Sequence, residues 1–144
     1  MSAVLQEKTI PITLNGQAVE AQAGETLIQT AKRHGIEIPH LCYMEGMRPD
    51  GNCRACMVEI KGERVLAASC CRAPQAGMEV TTDSPRALHS QKMVLELLAS
   101  DMPDRHYKPD SELDFWTDAL AIGAPRFTPR LSPNADLSHP AIAV

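Results

Sequence analysis

Apolar and polar residues alternate at the start of the chain, with Ile10, Ile12 and Leu14 on one side and Thr9, Pro11 and Thr13 on the other. A period of two predicts a strand over residues 8–14, and Pro11, which lacks a ladder donor, points to an edge position. Asn15-Gly16 predicts a two-residue type I′ turn, and QAVEAQ a returning strand. The period then lengthens: Leu27, Ile28 and Ala31 mark one face of a helix that Gly35 ends, and Ile36 and Ile38 turn inward after it. MVEIKGERVLAAS predicts a second hairpin, with Val58 and Ile60 on one face, Lys61-Gly62-Glu63 turning and Val65-Leu66 returning. After a turn over 74–77, MEVTT predicts a last short strand. Two hairpins around one helix, closed by a final strand, make an α+β chain of the β-grasp kind.

Ser84-Pro85 supplies the cap and first-turn proline of a helix over 84–100. Its period places Leu88, Val94, Leu95 and Leu98 inward and Arg86, Gln91, Lys92 and Glu96 outward, so it is expected to pack on its own sheet, with docking on a larger partner as the alternative. Beyond Ser100 the composition changes, since six of the eleven prolines lie between Pro103 and Pro140. Residues 101–144 read as an extended proline-rich tail with one short helix near 112–122, capped by Ser111 with Asp114 at the box position. Leu113, Phe115, Trp116 and Leu120 are its apolar anchors. Such a helix cannot bury itself, so it either returns to the domain over 8–83 or lies on another surface.

Net charge of −4 with mixed signs gives no basic stripe for nucleic acid. No apolar run reaches the ~18 residues of a bilayer span, and the N-terminus carries no secretory pattern. Five cysteines is an odd number, which with that N-terminus points to the cytoplasm or another reducing compartment rather than to a disulfide framework.

Four of those cysteines fall in the spacing Cys42-x10-Cys53-x2-Cys56-x14-Cys71, with Cys70 beside the last. Four thiolates from one glycine-containing loop and one later strand end suit a tetrahedral-sulfur site, either an iron–sulfur cluster or zinc. Structural zinc usually takes two short knuckles, and only one close pair is present here. A lead cysteine, a C-x2-C pair and a distant fourth follow the ferredoxin pattern instead. Gly51 permits close backbone approach and the small Ala55 leaves room between ligands, while Arg48, Arg54 and Arg72 stand near enough in sequence to offset an anionic cluster. Consecutive strand residues point oppositely, so only one of Cys70 and Cys71 is expected to ligate. A dithiol catalyst at Cys53 and Cys56 lacks the βαβ setting it needs. His34, His40, His89, His106 and His139 have no partner at metal spacing, and no nucleophile-and-base pair or phosphate loop occurs. The chain shows no substrate site of its own.

At these residues a family resemblance becomes specific. IPHLCYMEGMRPDGNCRACMVEI, ASCCRAP and GMEVTTDS make residues 8–100 resemble the N-terminal 2Fe–2S domain shared by the complex I iron–sulfur subunit, NAD-reducing and iron-only hydrogenases, and NAD-dependent formate dehydrogenases. The resemblance implies a ferredoxin-like β-grasp fold, one 2Fe–2S cluster, and a fourth ligand three residues before Pro74, which is Cys71. Cys42 and Cys53 would then hold the outer iron, and Cys56 and Cys71 the inner one. Cys70 would be a small buried hydrophobe.

Many relatives continue with a His-x3-Cys-x2-Cys-x5-Cys motif for a 4Fe–4S cluster, but no cysteine follows Cys71 here. LASDMPD, ELDFW and ADLSHPAIAV instead resemble the large, molybdenum- or tungsten-containing subunit of NAD-dependent formate dehydrogenases. That resemblance implies an electron-transfer module whose partners are further iron–sulfur, molybdenum or tungsten, and flavin/NAD modules. A structural zinc module and a free-standing 2Fe–2S ferredoxin are the alternatives.

Overall fold

A computed structural model describes residues 9–102 and 111–128 of the chain. Five strands form one mixed sheet: β1 (Thr9–Leu14), β2 (Gln17–Gln22), β3 (Met57–Ile60), β4 (Ala67–Ala68) and β5 (Glu79–Thr81), in the order β2-β1-β5-β3-β4. Helix α1 (Leu27–Arg33) follows the first hairpin, α2 (Pro85–Ser100) follows the last strand, and α3 (Glu112–Ala119) lies beyond it. The architecture is the α+β, β-grasp arrangement expected.

Local chemistry explains most boundaries. Asn15 and Gly16 both adopt positive φ (49° and 81°), as a type I′ turn requires, and β1 pairs antiparallel with β2 from Thr9↔Gln22 to Leu14↔Gln17. Asn15 also exchanges two 2.8 Å bonds with Thr82, donating from Nδ2 to Oγ1 and accepting from the backbone N–H, which pins the first turn to the end of β5. Ile12, Leu14, Leu27, Ile28, Ala31, Ile38, Val58, Ile60 and Val80 form the main core, each at most 4% exposed. Glu25 anchors the other side of α1: it accepts from Arg33 Nε at 2.9 Å and from Thr30 Oγ1 at 3.0 Å. Its carboxyl is lowered to about 2, chiefly by the Arg33 hydrogen bond against an opposing cost of burial. A depressed carboxylate stabilises the fold above its ordinary range and ceases to as pH falls from about 4.5 through about 2. Glu25→Gln should therefore lower the urea unfolding midpoint at pH 6 and leave it nearly unchanged near pH 2.

Three expectations are corrected. Strand β1 is not an edge: β5 lies beside it, parallel, through Thr13↔Glu79 and Leu14↔Val80. Pro11 is tolerated because it lies beyond that short pairing, where its carbonyl accepts from Gly77 N–H at 2.9 Å and no donor is needed in return. The return of the second hairpin is not Val65-Leu66 but Ala67–Ala68, paired Met57↔Ala68 and Val58↔Ala67. The chain turns tightly at Ile60–Glu63, but residues 63–66 then bulge outward and leave Val65 61% exposed.

The third correction concerns α2, where Ser84 caps as expected by accepting from Ala87 N–H at 3.1 Å. Gln91 and Glu96 nonetheless face inward, at 1% and 7% exposure, while Leu98 is 39% exposed. The helix is covered on two sides, so polar residues that find partners replace apolar ones. Gln91 Nε2 donates to the carbonyls of Met57 (2.9 Å) and Thr82 (3.0 Å), fastening α2 to β3 and to the exit of β5. Gln91→Ala would strand two carbonyls and should cost about 1–3 kcal/mol in chemical unfolding.

Helix α3 settles the alternative left open for three of its apolar anchors, Leu113, Trp116 and Leu120, which pack on the domain, whereas Phe115 stays 62% exposed. Ser111 caps it by accepting from Asp114 N–H at 3.1 Å, and Trp116 is buried to 7% exposure against the domain itself. The proline-rich stretches over 103–110 and 129–144 lie outside the described residues. Among the described residues no helix is long and apolar enough to cross a membrane.

Candidate metal centre

The second hairpin and the N-terminus of α1 together build the cysteine site. Cys56 precedes β3 directly, and its carbonyl accepts from Ser69 N–H (3.1 Å) and Ser69 Oγ (2.8 Å) at the end of β4. That clamp holds the Cys70-Cys71 turn beside Cys56. The turn itself closes on Ala68, whose carbonyl accepts from both Cys71 N–H and Arg72 N–H at 3.0 Å. The first N–H groups of α1 have no partner inside the helix and take carbonyls of the same turn: Leu27 N–H donates to Arg72 O at 2.8 Å and Ile28 N–H to Ser69 O at 3.1 Å. Further along α1, Gln29 Nε2 donates to Glu45 Oε1 at 3.0 Å, and Tyr43 Oη donates to Glu45 Oε2 at 2.8 Å. Burial and this acceptor push the Tyr43 hydroxyl up to about 12, so it stays a donor. The residues just after Cys42 are thereby tied to the same helix as the Cys71 turn.

Cys53 is half-buried and Cys42 exposed. Burial works to raise the Cys53 thiol, but the N–H groups of Ala55, Cys42 and Leu41 directed at its sulfur prevail and lower it below the ordinary cysteine range. Arg54, between Cys53 and Cys56, takes a left-handed φ of 59°. Gly51 sits at φ 66°, and a Cβ there would come within 2.9 Å of Cys71 Sγ. The loop therefore reaches the Cys71 turn through a residue that has no side chain.

Cys70 and Cys71 do not occupy a strand; they lie in a turn, and their sulfurs are 3.6 Å apart rather than opposed. What separates them is burial: Cys70 is fully enclosed in the main core, whereas Cys71 is exposed toward the loop. Burial, and next the neighbouring Cys56 and Cys71 thiols, push the Cys70 thiol far up. Among the described residues no three His, Cys, Asp or Glu side chains are grouped closely enough to hold one metal ion. A binuclear cluster asks for less, since each iron takes only two protein thiolates. The donors fit it: four thiolate-forming side chains, backbone N–H groups turned onto a sulfur, and a glycine that gives way where a ligand passes.

Residues 7–85 match the 2Fe-2S iron-sulfur cluster binding domain family. The chain belongs to it. A 2Fe–2S cluster is accordingly the cofactor of this domain, and electron transfer its work. Similar proteins include the mitochondrial NADH-ubiquinone oxidoreductase 78 kDa subunit of Candida albicans, 37% identical over 94 residues that make up 65% of this chain and 13% of that protein. Another is the NADP-reducing hydrogenase subunit HndD of Solidesulfovibrio fructosivorans, 39% identical over 99 residues, 65% of this chain and 17% of that one. The chain thus spans less than a fifth of the curated relatives it matches. In a crystal structure of an NAD+-reducing [NiFe]-hydrogenase in the H2-reduced state, a chain 30% identical superposes with a TM-score of 0.73 over 91% of this chain and 57% of its own length.

Within this 2Fe–2S domain the arginines divide. Arg48 and Arg54 are exposed, but Arg72 is committed to Glu63, leaving its buried Nε without a hydrogen-bond partner. His40 Nδ1 pairs with the Ile38 carbonyl at 2.7 Å, and its ring meets Tyr43 and Trp116, each at 5.7 Å between centroids. What the sequence did not reveal is the roof. Ala55, Leu95 and Trp116 form a second core, against which Leu41 and Cys53 pack. Ala55 is small to admit that roof, at least as much as to space the ligands.

Proposed function

We propose that Cys42, Cys53, Cys56 and Cys71 ligate the 2Fe–2S cluster, with Cys42 and Cys53 on the outer iron and Cys56 and Cys71 on the inner, and that this module relays single electrons within an NAD-dependent formate dehydrogenase. When bound, the cluster accepts and returns one electron, at about −400 mV if it follows plant-type ferredoxins. This chain's part is to hold, shield and tune. The Cys53 sulfur receives backbone N–H groups, which stabilise added negative charge. The Ser69 clamp and the N-terminus of α1 fix the turn that bears Cys71. Close approach of Gly51 to Cys71 is the single observation that carries the ligand choice, because it joins the later cysteine to the loop of the other three.

The formate reading rests on the stretches LASDMPD, ELDFW and ADLSHPAIAV and on the lack of any cysteine after Cys71. The partners would be further iron–sulfur, molybdenum or tungsten, and flavin/NAD modules, in the cytoplasm, with residues 8–83 as the cluster domain, 84–100 as its helix and 101–144 as a proline-rich linker or tail carrying the short helix near 112–122. Iron and acid-labile sulfide analysis, with EPR of the dithionite-reduced chain, tests the first part: two irons, two sulfides and one signal are expected. A colourless preparation holding one zinc would replace it with a structural module. Purification with native partners tests the second part. Formate should then reduce NAD+ and develop the EPR signal; a signal developed by NADH or hydrogen but never by formate would place the module in another complex.

A further inference from the structure

The stretch that matches the family ends at residue 85, yet the cysteine loop is roofed by residues well beyond it. Ala55, between Cys53 and Cys56, has no exposure at all, and its neighbours in the second core are Leu95 of α2 and Trp116 of α3. Cys53 and Leu41 pack against that same core. The indole of Trp116 also stands 5.7 Å from the His40 ring, two residues before Cys42. One aromatic side chain therefore belongs to the wall of the ligand loop at both of its ends.

The helix carrying this ring is fastened from behind. After α3, Ile122 N–H returns to the Thr117 carbonyl at 2.8 Å. Arg126 then donates three bonds to the Glu96 carboxylate of α2, from its backbone N–H at 2.9 Å and from Nε and Nη2 at 2.7 Å each. Phe115, the neighbouring ring, is 62% exposed, so of the two aromatics in α3 it is the tryptophan that is turned onto the loop.

We propose that Trp116 is a positioning residue for the redox site: it keeps water from the Cys53 side of the ligand loop and so holds the reduction potential low and the cluster long-lived in air. The inference rests on Cys53 being a ligand. Reduction adds one electron, hence one negative charge, to a site already anionic. Water stabilises that charge better than an indole does, so excluding water disfavours the reduced state.

The test uses the full chain loaded with its cluster, as wild type and as Trp116→Leu, Trp116→Phe and Arg126→Ala. The chain contains one tryptophan, so its emission reports on this residue alone. Emission of the wild type should be several-fold weaker with the cluster than without it. In Trp116→Leu, the reduced-to-oxidised ratio at a fixed electrode potential should rise about tenfold, an upward shift of about 59 mV for one electron. The half-life of the visible absorbance in air should fall several-fold. Trp116→Phe should lie between, and Arg126→Ala should shift both readings in the same direction by less, with the indole still present. An unchanged potential and half-life in Trp116→Leu at full iron content overturns the proposal, as does equal wild-type emission with and without the cluster. Should the leucine variant fail to hold iron, the phenylalanine and Arg126 variants and the wild-type emission still decide it. A wild type without iron and sulfide overturns the ligand reading itself, and the inference with it.

Discussion

Cys71→Ser should leave the chain without a stable 2Fe–2S cluster, while Cys70→Ser should keep it. The two sulfurs are 3.6 Å apart, so distance alone does not choose between them. Their surroundings do. Cys70 is buried in the same core as Cys56, so burial does not decide and the choice rests on which neighbour meets the loop. Cys71 lies outside that core and meets the loop at Gly51. A serine at 70 places a hydroxyl where a sulfur was buried, costing about 1–3 kcal/mol if it finds no partner, but it leaves four thiols in place. Iron and sulfide per chain, with the intensity of the reduced EPR signal, read the difference. A Cys70→Ser protein that loses its iron while Cys71→Ser retains it reverses the assignment. Cys42→Ser, Cys53→Ser and Cys56→Ser should each resemble Cys71→Ser.

Gly51→Ala should have nearly as large an effect on cluster retention, with a smaller one on the fold. Two costs meet at this position. A left-handed φ of 66° is unfavourable for any side chain, by roughly 1–2 kcal/mol. The new methyl would also stand 2.9 Å from Cys71 Sγ. In the metal-free chain that sulfur ends a side chain free to rotate away, so only the backbone term is felt. Once iron holds the sulfur, rotation is no longer open to it, and loop and turn must part instead. Circular dichroism of the metal-free protein should therefore show a modest loss of stability, and the loaded protein a several-fold faster release of iron. Equal effects on both forms would show that the close approach has nothing to do with ligation.

Much of this was legible in the residues. Alternation found β1, the Asn15-Gly16 pair found the first turn, and Ser84-Pro85 found the start of α2, because each is a local signal whose physics needs no distant partner. Cysteine spacing pointed to the 2Fe–2S cofactor that the family match bears out. What could not be read is what depends on residues far apart in sequence. Gln91 and Glu96 look like an outer face until β3 and Arg126 arrive to satisfy them. Pro11 suggests an edge until the shortness of β5 removes the need for its missing donor. The opposed directions assigned to Cys70 and Cys71 presumed a strand, and the closure on Ala68 makes a turn of them. Trp116 carried only an open alternative, since composition cannot say which apolar surface a capped helix will choose.

The pairing of Ala55 with Leu95 and Trp116 separates two meanings of the word domain. The match to the family stops at residue 85, although the hydrogenase chain superposes over 91% of this one, and a polypeptide cut there would bare Leu41 and Ala55 as an oily patch. The packing that covers the loop runs on to at least Arg126, whose guanidinium is held by Glu96 of α2. Transplanting this electron carrier into another scaffold thus means taking both helices with it, or supplying a host surface that fits the bare patch.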